Sequence, residues 1–298
     1  MSRLRMRIWL GLAASVGFLS PLSAQAPSSR NEAPLRKPDR ATIATLQKRL
    51  PELMKEATVP GVSLVLIRGG KTYVVGNFGV RDAKSQQSVT DDTIFEAASL
   101  SKPLLAYGAL KLVDQGKLDL DASLTHYLRK PYIEGDARLE MITARYILSH
   151  RTGFPNWRGD GNPLTIRFTP GERFSYSGEG FVLLNKEGLN QSTLKAMEQP
   201  QIAVNPECMN CTDRQPKELS KAVFWGLGVG IQRTKEGESL WHWGDNGAFK
   251  CFIVAYPKQK IGLVLFTNGE NGLSIASEVV RDALGGDQPA FDWIKYDR

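Results

Sequence analysis

The run Ser99-Leu100-Ser101-Lys102-Pro103-Leu104-Leu105-Ala106-Tyr107-Gly108-Ala109-Leu110-Lys111-Leu112-Val113-Asp114-Gln115 decides how the chain is organised. Leu104, Leu105, Ala109, Leu110 and Val113 keep helical spacing and Gly116 supplies a stop, so the run predicts one helix with Ser99 and Lys102 at its start. Residues i and i+3 of a helix share a face, about 5 to 6 Å apart at Cβ, which lets the Ser99 hydroxyl meet the Lys102 amine. A serine hydroxyl is a poor nucleophile until a base takes its proton, and a lysine whose pKa is lowered by desolvation is such a base. The free N–H groups and positive dipole end at the helix start favour negative charge developing beside Ser99. Alone, Ser-x-x-Lys arises often by chance, and its bland reading is a cap followed by a solvated lysine.

On the N-terminal side of this helix, Val62 to Ile67 and Lys71 to Val80 are β-rich runs joined at Gly69-Gly70, a hairpin signature. Before them, Asp39 is placed to cap a helix through Ile43, Leu46 and Leu50, with Pro51 forcing a kink or a second start before Leu53 and Met54. On the C-terminal side come short helices at Ala144 to Ser149 and Gly180 to Asn185, with turn-rich stretches around Gly153 to Gly161 and Pro170-Gly171. Strands follow at Phe224 to Gln232, Phe249 to Tyr256 and Ile261 to Phe266, then a closing helix from Ile275 to Leu284. Strands at both chain ends with helices between them predict an α+β fold. One antiparallel sheet is flanked by the terminal helices, with a helical insertion alongside and a cleft between the two parts.

The 298 residues suffice for one large domain or two small ones. With 42% hydrophobic and 23% charged residues, neither a disordered chain nor a multi-span membrane protein fits. Met1 to Ala26 has a charged start ending at Arg7, an apolar run from Ile8 to Leu19 and a small-residue exit at Ala24-Gln25-Ala26, the layout of a secretory signal peptide. The apolar run is short of the roughly 20 residues needed to span a bilayer, so the expectation is cleavage, a secreted or periplasmic product and no stable membrane span. Removal of Arg3, Arg5 and Arg7 takes the net charge from +7 to +4, and no basic, aromatic-interleaved tract marks a nucleic-acid partner. Residues 27–40, rich in Pro, Ser and charge, read as a flexible linker, with one folded domain over 41–298.

Cys208 and Cys211 form a Cys-x-x-Cys that reads as a short local disulfide or two free thiols, and Cys251 lies in an apolar strand pattern. His126, His150 and His242 are far apart in sequence, which argues against zinc. The glycines Gly226-x-Gly228-x-Gly230 sit in a β-rich run rather than between a strand and a helix, so they do not read as a nucleotide site. No metal or organic cofactor is expected.

Two further motifs follow the helix in order: Tyr176-Ser177-Gly178 within a turn-rich segment, and His242-Trp243-Gly244-Asp245-Asn246-Gly247. Ser99-x-x-Lys102, Tyr176-Ser177 and His242-x-Gly244 together resemble the three-motif set of the serine β-lactamase and penicillin-binding protein superfamily. Leu148-Ser149-His150-Arg151-Thr152-Gly153 and Trp225-Gly226-Leu227-Gly228 are similar to phrases of its class C β-lactamase-related branch of esterases and peptidases. The resemblance runs from about Pro60 to Gly285. It implies Ser99 as acylated nucleophile, Lys102 as its proton acceptor and Tyr176 as a proton relay to the leaving group. It also implies an oxyanion and substrate-binding set of Ser99, His242, Gly244 and Asp245. A tyrosine near an ammonium loses its proton more readily than in water, so a lowered Tyr176 pKa is expected. His150 reads as structural, tying a loop to the backbone.

Three departures bear on substrate. Gly178 stands where many members carry an asparagine that holds the substrate's amide, and His242 stands where they usually have lysine. Only 66 positions separate Tyr176 from His242, as though helices had been removed after Leu184. The expectation is an exported serine hydrolase of small esters or peptide-like amides with weak β-lactam turnover. The alternatives are a D-alanyl-D-alanine carboxypeptidase or β-lactamase, and a catalytically inactive envelope binding protein.

Overall fold

The computed structural model describes residues 34–128, 131–185, 200–209 and 218–296. The expected leader, Met1 to Ala26, lies outside the described residues. Among them, no helix is long and apolar enough to cross a membrane.

The first helix, α1 (Arg40–Glu56), starts where Asp39 accepts a hydrogen bond from the Thr42 N–H (2.8 Å) while the Thr42 hydroxyl accepts one from the Asp39 N–H, a reciprocal cap. Pro51 neither ends nor restarts it: Leu46, Leu50, Leu53 and Met54 bury one stripe on both sides of the proline, and that packing carries the helix through. Residues 34–39 have no regular secondary structure, with Leu35 against the core and the Arg36 N–H donating to the Leu284 carbonyl.

Nine strands form one antiparallel sheet among the described residues. The hairpin β1 (Gly61–Arg68) and β2 (Lys71–Asp82) turns at Gly69-Gly70 as expected, and a short β3 (Gln87–Ser88) lies outside it. The remaining strands are β4 (Ile202–Ala203), β5 (Val223–Trp225), β6 (Gly230–Thr234), β7 (Gly237–Asn246), β8 (Phe249–Tyr256) and β9 (Ile261–Thr267), in the order β3-β2-β1-β9-β8-β7-β6-β5-β4. β1 therefore closes against β9, joining the two chain ends. The run Phe224 to Gln232 is two strands rather than one. Gly226 to Val229 turn between β5 and β6, and Leu227 and Val229 are buried in the helical part instead of the sheet. One face of the sheet, with Val62, Leu64, Leu66, Phe252, Val254, Leu263 and Leu265, packs on α1 and on the late helices α5 (Ala276–Leu284) and α6 (Pro289–Ile294). Every second residue points there because side chains alternate along a strand.

The helical part contains α2 (Ser101–Asp114), α3 (Ala144–Leu148) and α4 (Gly178–Asn185) around a second core of Ala106, Leu110, Ile147, Leu148, Phe154, Phe181 and Leu184. A 3-10 turn, Ala98–Leu100, leads into α2, which stops before Gly116 as expected. The inward stripe differs from expectation: Lys102, Ala106, Ala109 and Leu110 are buried, while Leu104 is 72% exposed. A lysine occupies the inner face of the first turn, and the hydrophobic pattern cannot register that.

Candidate active site

Ser99 sits on the 3-10 turn ahead of α2, and the Ala98 backbone before it is held at φ +44°. That left-handed conformation is strained for a residue with a Cβ and turns the chain sharply at the serine. β7 passes alongside. A Cβ on Gly244 would lie 2.7 Å from the Ala97 carbonyl oxygen and 3.1 Å from the Ala98 Cβ, so only glycine lets the strand approach the nucleophile turn. Cys251 on β8, a free thiol, fills the space behind and donates to the same Ala97 carbonyl (3.1 Å). Burial pushes its pKa up to about 12, so it is a protonated thiol.

Lys102 Nζ lies 2.8 Å from Ser99 Oγ, within hydrogen-bond reach. The lysine is 5% exposed and faces three rings, at 5.2 Å (Tyr176), 5.7 Å (Phe181) and 5.9 Å (Trp157) from the centroids. Burial lowers its pKa from 10.5 to about 8. Tyr176, on the segment before α4, is buried, and its N–H is held by the Met209 carbonyl (2.9 Å). The expected lowering of its pKa is reversed: burial raises it well above 10, and the Ser99 hydroxyl offsets only part of that. The phenol keeps its proton, and among the described residues its buried hydroxyl has no hydrogen-bond partner of ordinary geometry.

His242 stands in the middle of β7, fully buried, with its ring 6.3 Å from that of Tyr176 and 5.3 Å from that of Trp225. It lies behind Tyr176 and does not line the cleft, so it cannot touch a substrate directly. Its Nδ1 lies 2.6 Å from the Trp243 carbonyl, which only accepts, so Nδ1 carries the proton. Burial first, then the Lys102 charge, push its pKa down to about 3, and the ring is neutral. His150 is likewise buried; its Nδ1 accepts from the Ser177 N–H (3.0 Å) and its ring stacks on Tyr176 at 4.2 Å. It holds the Tyr176 segment to its loop.

The structure brings Ser99, Lys102 and Tyr176 together in a cavity of about 550 Å³ whose far wall includes Asp245, Asn246 and Tyr296. The Asp245 carboxylate binds Lys250 and the Tyr296 hydroxyl. Burial alone would raise its pKa, but those two donors bring it below the usual carboxylate value. A second cavity of about 480 Å³ shares Ser101, Lys102 and Trp157 and continues between α2 and α4 along Leu104, Leu105, Phe181 and Val182. Among the described residues lining the two, Lys102 is the only cation.

Asn156 and Trp157 are site residues that no sequence motif singled out. Their loop is pinned to the start of α4. The Gly178 N–H donates to the Asn156 side-chain and backbone oxygens (3.0 Å each), Ser177 Oγ donates to the Pro155 carbonyl (2.8 Å), and Arg158 pairs with Glu179 (2.7 Å). A Cβ on Gly178 would lie 2.6 Å from Cη2 and Cζ2 of Trp157, so the indole occupies the space an asparagine there would need. Gly178 in place of asparagine was the one sequence signal for it. Cys208 is disulfide-bonded, while its Cys-x-x-Cys companion Cys211 lies outside the described residues.

A single antiparallel sheet with a serine at the head of a buried-lysine helix, faced by a tyrosine and by a glycine-bearing strand, defines the serine β-lactamase and penicillin-binding protein class of folds. The chain belongs to the β-lactamase family: the model of that family matches residues 46–199, a stretch holding Ser99, Lys102 and Tyr176. Among curated relatives, it is 29% identical to "Esterase EstB" of Burkholderia gladioli over 126 residues, 41% of this chain and 32% of that protein. It is 35% identical to a "Beta-lactamase" of Providencia stuartii over 101 residues, 34% of this chain and 25% of that protein. The matches thus span a quarter to a third of those relatives. Among solved structures, a class C β-lactamase shares the fold with a TM-score of 0.61 at 17% identity, over 83% of this chain and 97% of that one.

Proposed function

We propose that the protein is a serine hydrolase that cleaves esters of uncharged substrates through an acyl-enzyme on Ser99. The observation that carries this reading is the 2.8 Å approach of Lys102 Nζ to Ser99 Oγ in a cleft deep enough to lower the lysine pKa to about 8. Neutral Lys102 takes the Ser99 proton as Oγ bonds to the substrate's carbonyl carbon. When the bond to the leaving oxygen breaks, the protonated Tyr176 gives that oxygen a proton and is resupplied by the Lys102 ammonium. Water then attacks the acyl carbon, its proton passes to Lys102, and Ser99 regains a proton as the acid departs. The backbone N–H groups of Ser99 and Asp245 are the proposed donors to the oxyanion; losing one such donor typically costs about 3 to 4 kcal/mol of barrier.

Esters without a carboxylate are favoured over β-lactams and peptide C-termini because, among the described residues lining the cleft, no free cation faces an anion. Lys102 serves the nucleophile, Lys250 is paired with Asp245 and His242 is buried and neutral. The relatives include an esterase and a β-lactamase, so the two activities are the ones to compare. The test is kcat/KM for p-nitrophenyl acetate and for a cephalosporin, with wild type and Ser99→Ala. Ester turnover that needs Ser99 and exceeds cephalosporin turnover supports the reading; the reverse ranking overturns it. Export to the periplasm or medium is part of the proposal, supported by the Met1 to Ala26 layout and the Cys208 disulfide. N-terminal sequencing of fractionated protein tests it.

A further inference from the structure

The two cavities meet at Lys102 and differ in chemistry. The one that holds Tyr176 is polar on its far side, with Asp245, Asn246 and Tyr296. The other is lined by Leu104, Leu105, Phe181, Val182 and Trp157. Leu104, Trp157 and Val182 are 72%, 60% and 40% exposed, so three large apolar side chains from α2, a pinned loop and α4 lie open to solvent around one hollow. Single exposed apolar residues are ordinary, but a contiguous group beside a reacting centre marks a binding surface. Trp157 closes this hollow from the position that the asparagine side chain at Gly178 would otherwise take, replacing an amide by a hydrocarbon wall.

Resting on the hydrolase reading, we infer that the hollow between α2 and α4 is the acyl-group subsite and that it takes an unbranched hydrocarbon or aryl acyl chain. The leaving group must reach the Tyr176 hydroxyl and therefore occupies the polar cavity. The acyl group stays on Ser99 and extends to the other side of Lys102, over Leu104, Val182 and Trp157. The substrate class is thus an ester of a medium-chain or aromatic acid. An acylamino-substituted acid, whose amide would meet hydrocarbon where it needs a partner, is a poor fit.

Full burial of each methylene is worth at most roughly fourfold in binding, and a hollow open on one side gives about half the free energy, or roughly twofold per methylene. From p-nitrophenyl acetate to hexanoate, wild-type kcat/KM should rise about tenfold or more. Leu104→Gln/Val182→Gln keeps helix-favouring, uncharged residues at solvent-exposed positions outside the catalytic set. It should bring the hexanoate-to-acetate ratio close to one. An unchanged ratio, or a wild type with no chain-length preference, overturns the subsite while leaving Ser99-dependent hydrolysis standing. If no ester is turned over in a Ser99-dependent way, the hydrolase reading fails. The subsite is then judged by NMR titration of Ser99→Ala with hexanoate and acetate. Tighter hexanoate binding that the two glutamines abolish supports it, and equal binding overturns it. Loss of a dimer in the glutamine variant with no change in chain preference would assign the patch to self-association and overturn the proposal.

Discussion

Raising the pH from 6 to 9 titrates one group at the reacting centre, and the structure says which. Burial lowers Lys102 to about 8, so about a tenth of it is the neutral base at pH 7 and about nine tenths at pH 9. A solvated lysine at 10.5 would be neutral in roughly one molecule in 3,000 at pH 7. Burial therefore enlarges the reactive population roughly 300-fold, equivalent to about 3 kcal/mol at 1.36 kcal/mol per pKa unit. The neighbours do not titrate in this range: Tyr176 is raised and stays protonated, while His242 and His150 are pushed down and stay neutral. The assay is kcat/KM for p-nitrophenyl acetate at constant ionic strength, with Ser99→Ala subtracting background hydrolysis. The profile should rise with unit slope below pH 8, gain about tenfold between pH 7 and 9 and then level off. A limb centred near 6.5 would refute the reasoning by assigning the base to a histidine. A rise continuing beyond pH 10 would refute it by showing Lys102 hydrated.

Three other outcomes follow. Tyr176→Phe should cut turnover of an alkyl ester roughly 100-fold, the usual worth of a general acid, and that of a nitrophenyl ester far less, because nitrophenolate leaves without a proton; equal losses would remove the relay. Gly178→Ala should cost about 1 to 3 kcal/mol through collision with Trp157. Much of that should be recovered in the Gly178→Ala/Trp157→Gly pair by urea denaturation, and strict additivity would contradict the packing. For His242 the folded pKa of about 3 is below its unfolded value of about 6.5. Unfolded chains therefore bind the proton first, and stability, full above pH 6.5, is lost as pH falls toward 3. The loss is roughly 3 kcal/mol by pH 4. His242→Phe should flatten that slope, and an unchanged slope would refute the assignment.

The parts of this fold legible in the sequence are those where local chemistry and tertiary burial agree. Gly69-Gly70 between β-rich runs marks a hairpin, and β8 and β9 are short, nearly continuous apolar runs of the kind that central strands buried on both faces carry. The failures share a cause: a residue's surroundings come from elsewhere in the chain. Leu104 counted as core by spacing, yet the inner face belongs to Lys102 and Ala106. The Gly226 to Val229 turn is apolar because it packs on the helical part, so it read as strand. An ammonium nearby implied a more acidic Tyr176, but burial under His150, Trp225 and Trp243 outweighs it. Ser99, Lys102, Tyr176, His242, Gly244 and Asp245 were singled out by motif order, and of these Ser99, Lys102, Tyr176 and Asp245 line one cavity. Trp157 was not singled out, since the only trace of it was an absent Cβ twenty-one residues later.

The central claim, that Ser99 with its Lys102 base forms an acyl-enzyme, is tested most directly by trapping it. The protein is mixed with p-nitrophenyl hexanoate, quenched in acid over a time course, weighed intact and mapped by peptide mass. The account predicts a transient hexanoyl adduct on Ser99, absent from Ser99→Ala and slowed in Lys102→Ala. Ester turnover by wild type with no adduct at any time and undiminished activity of Ser99→Ala would contradict it.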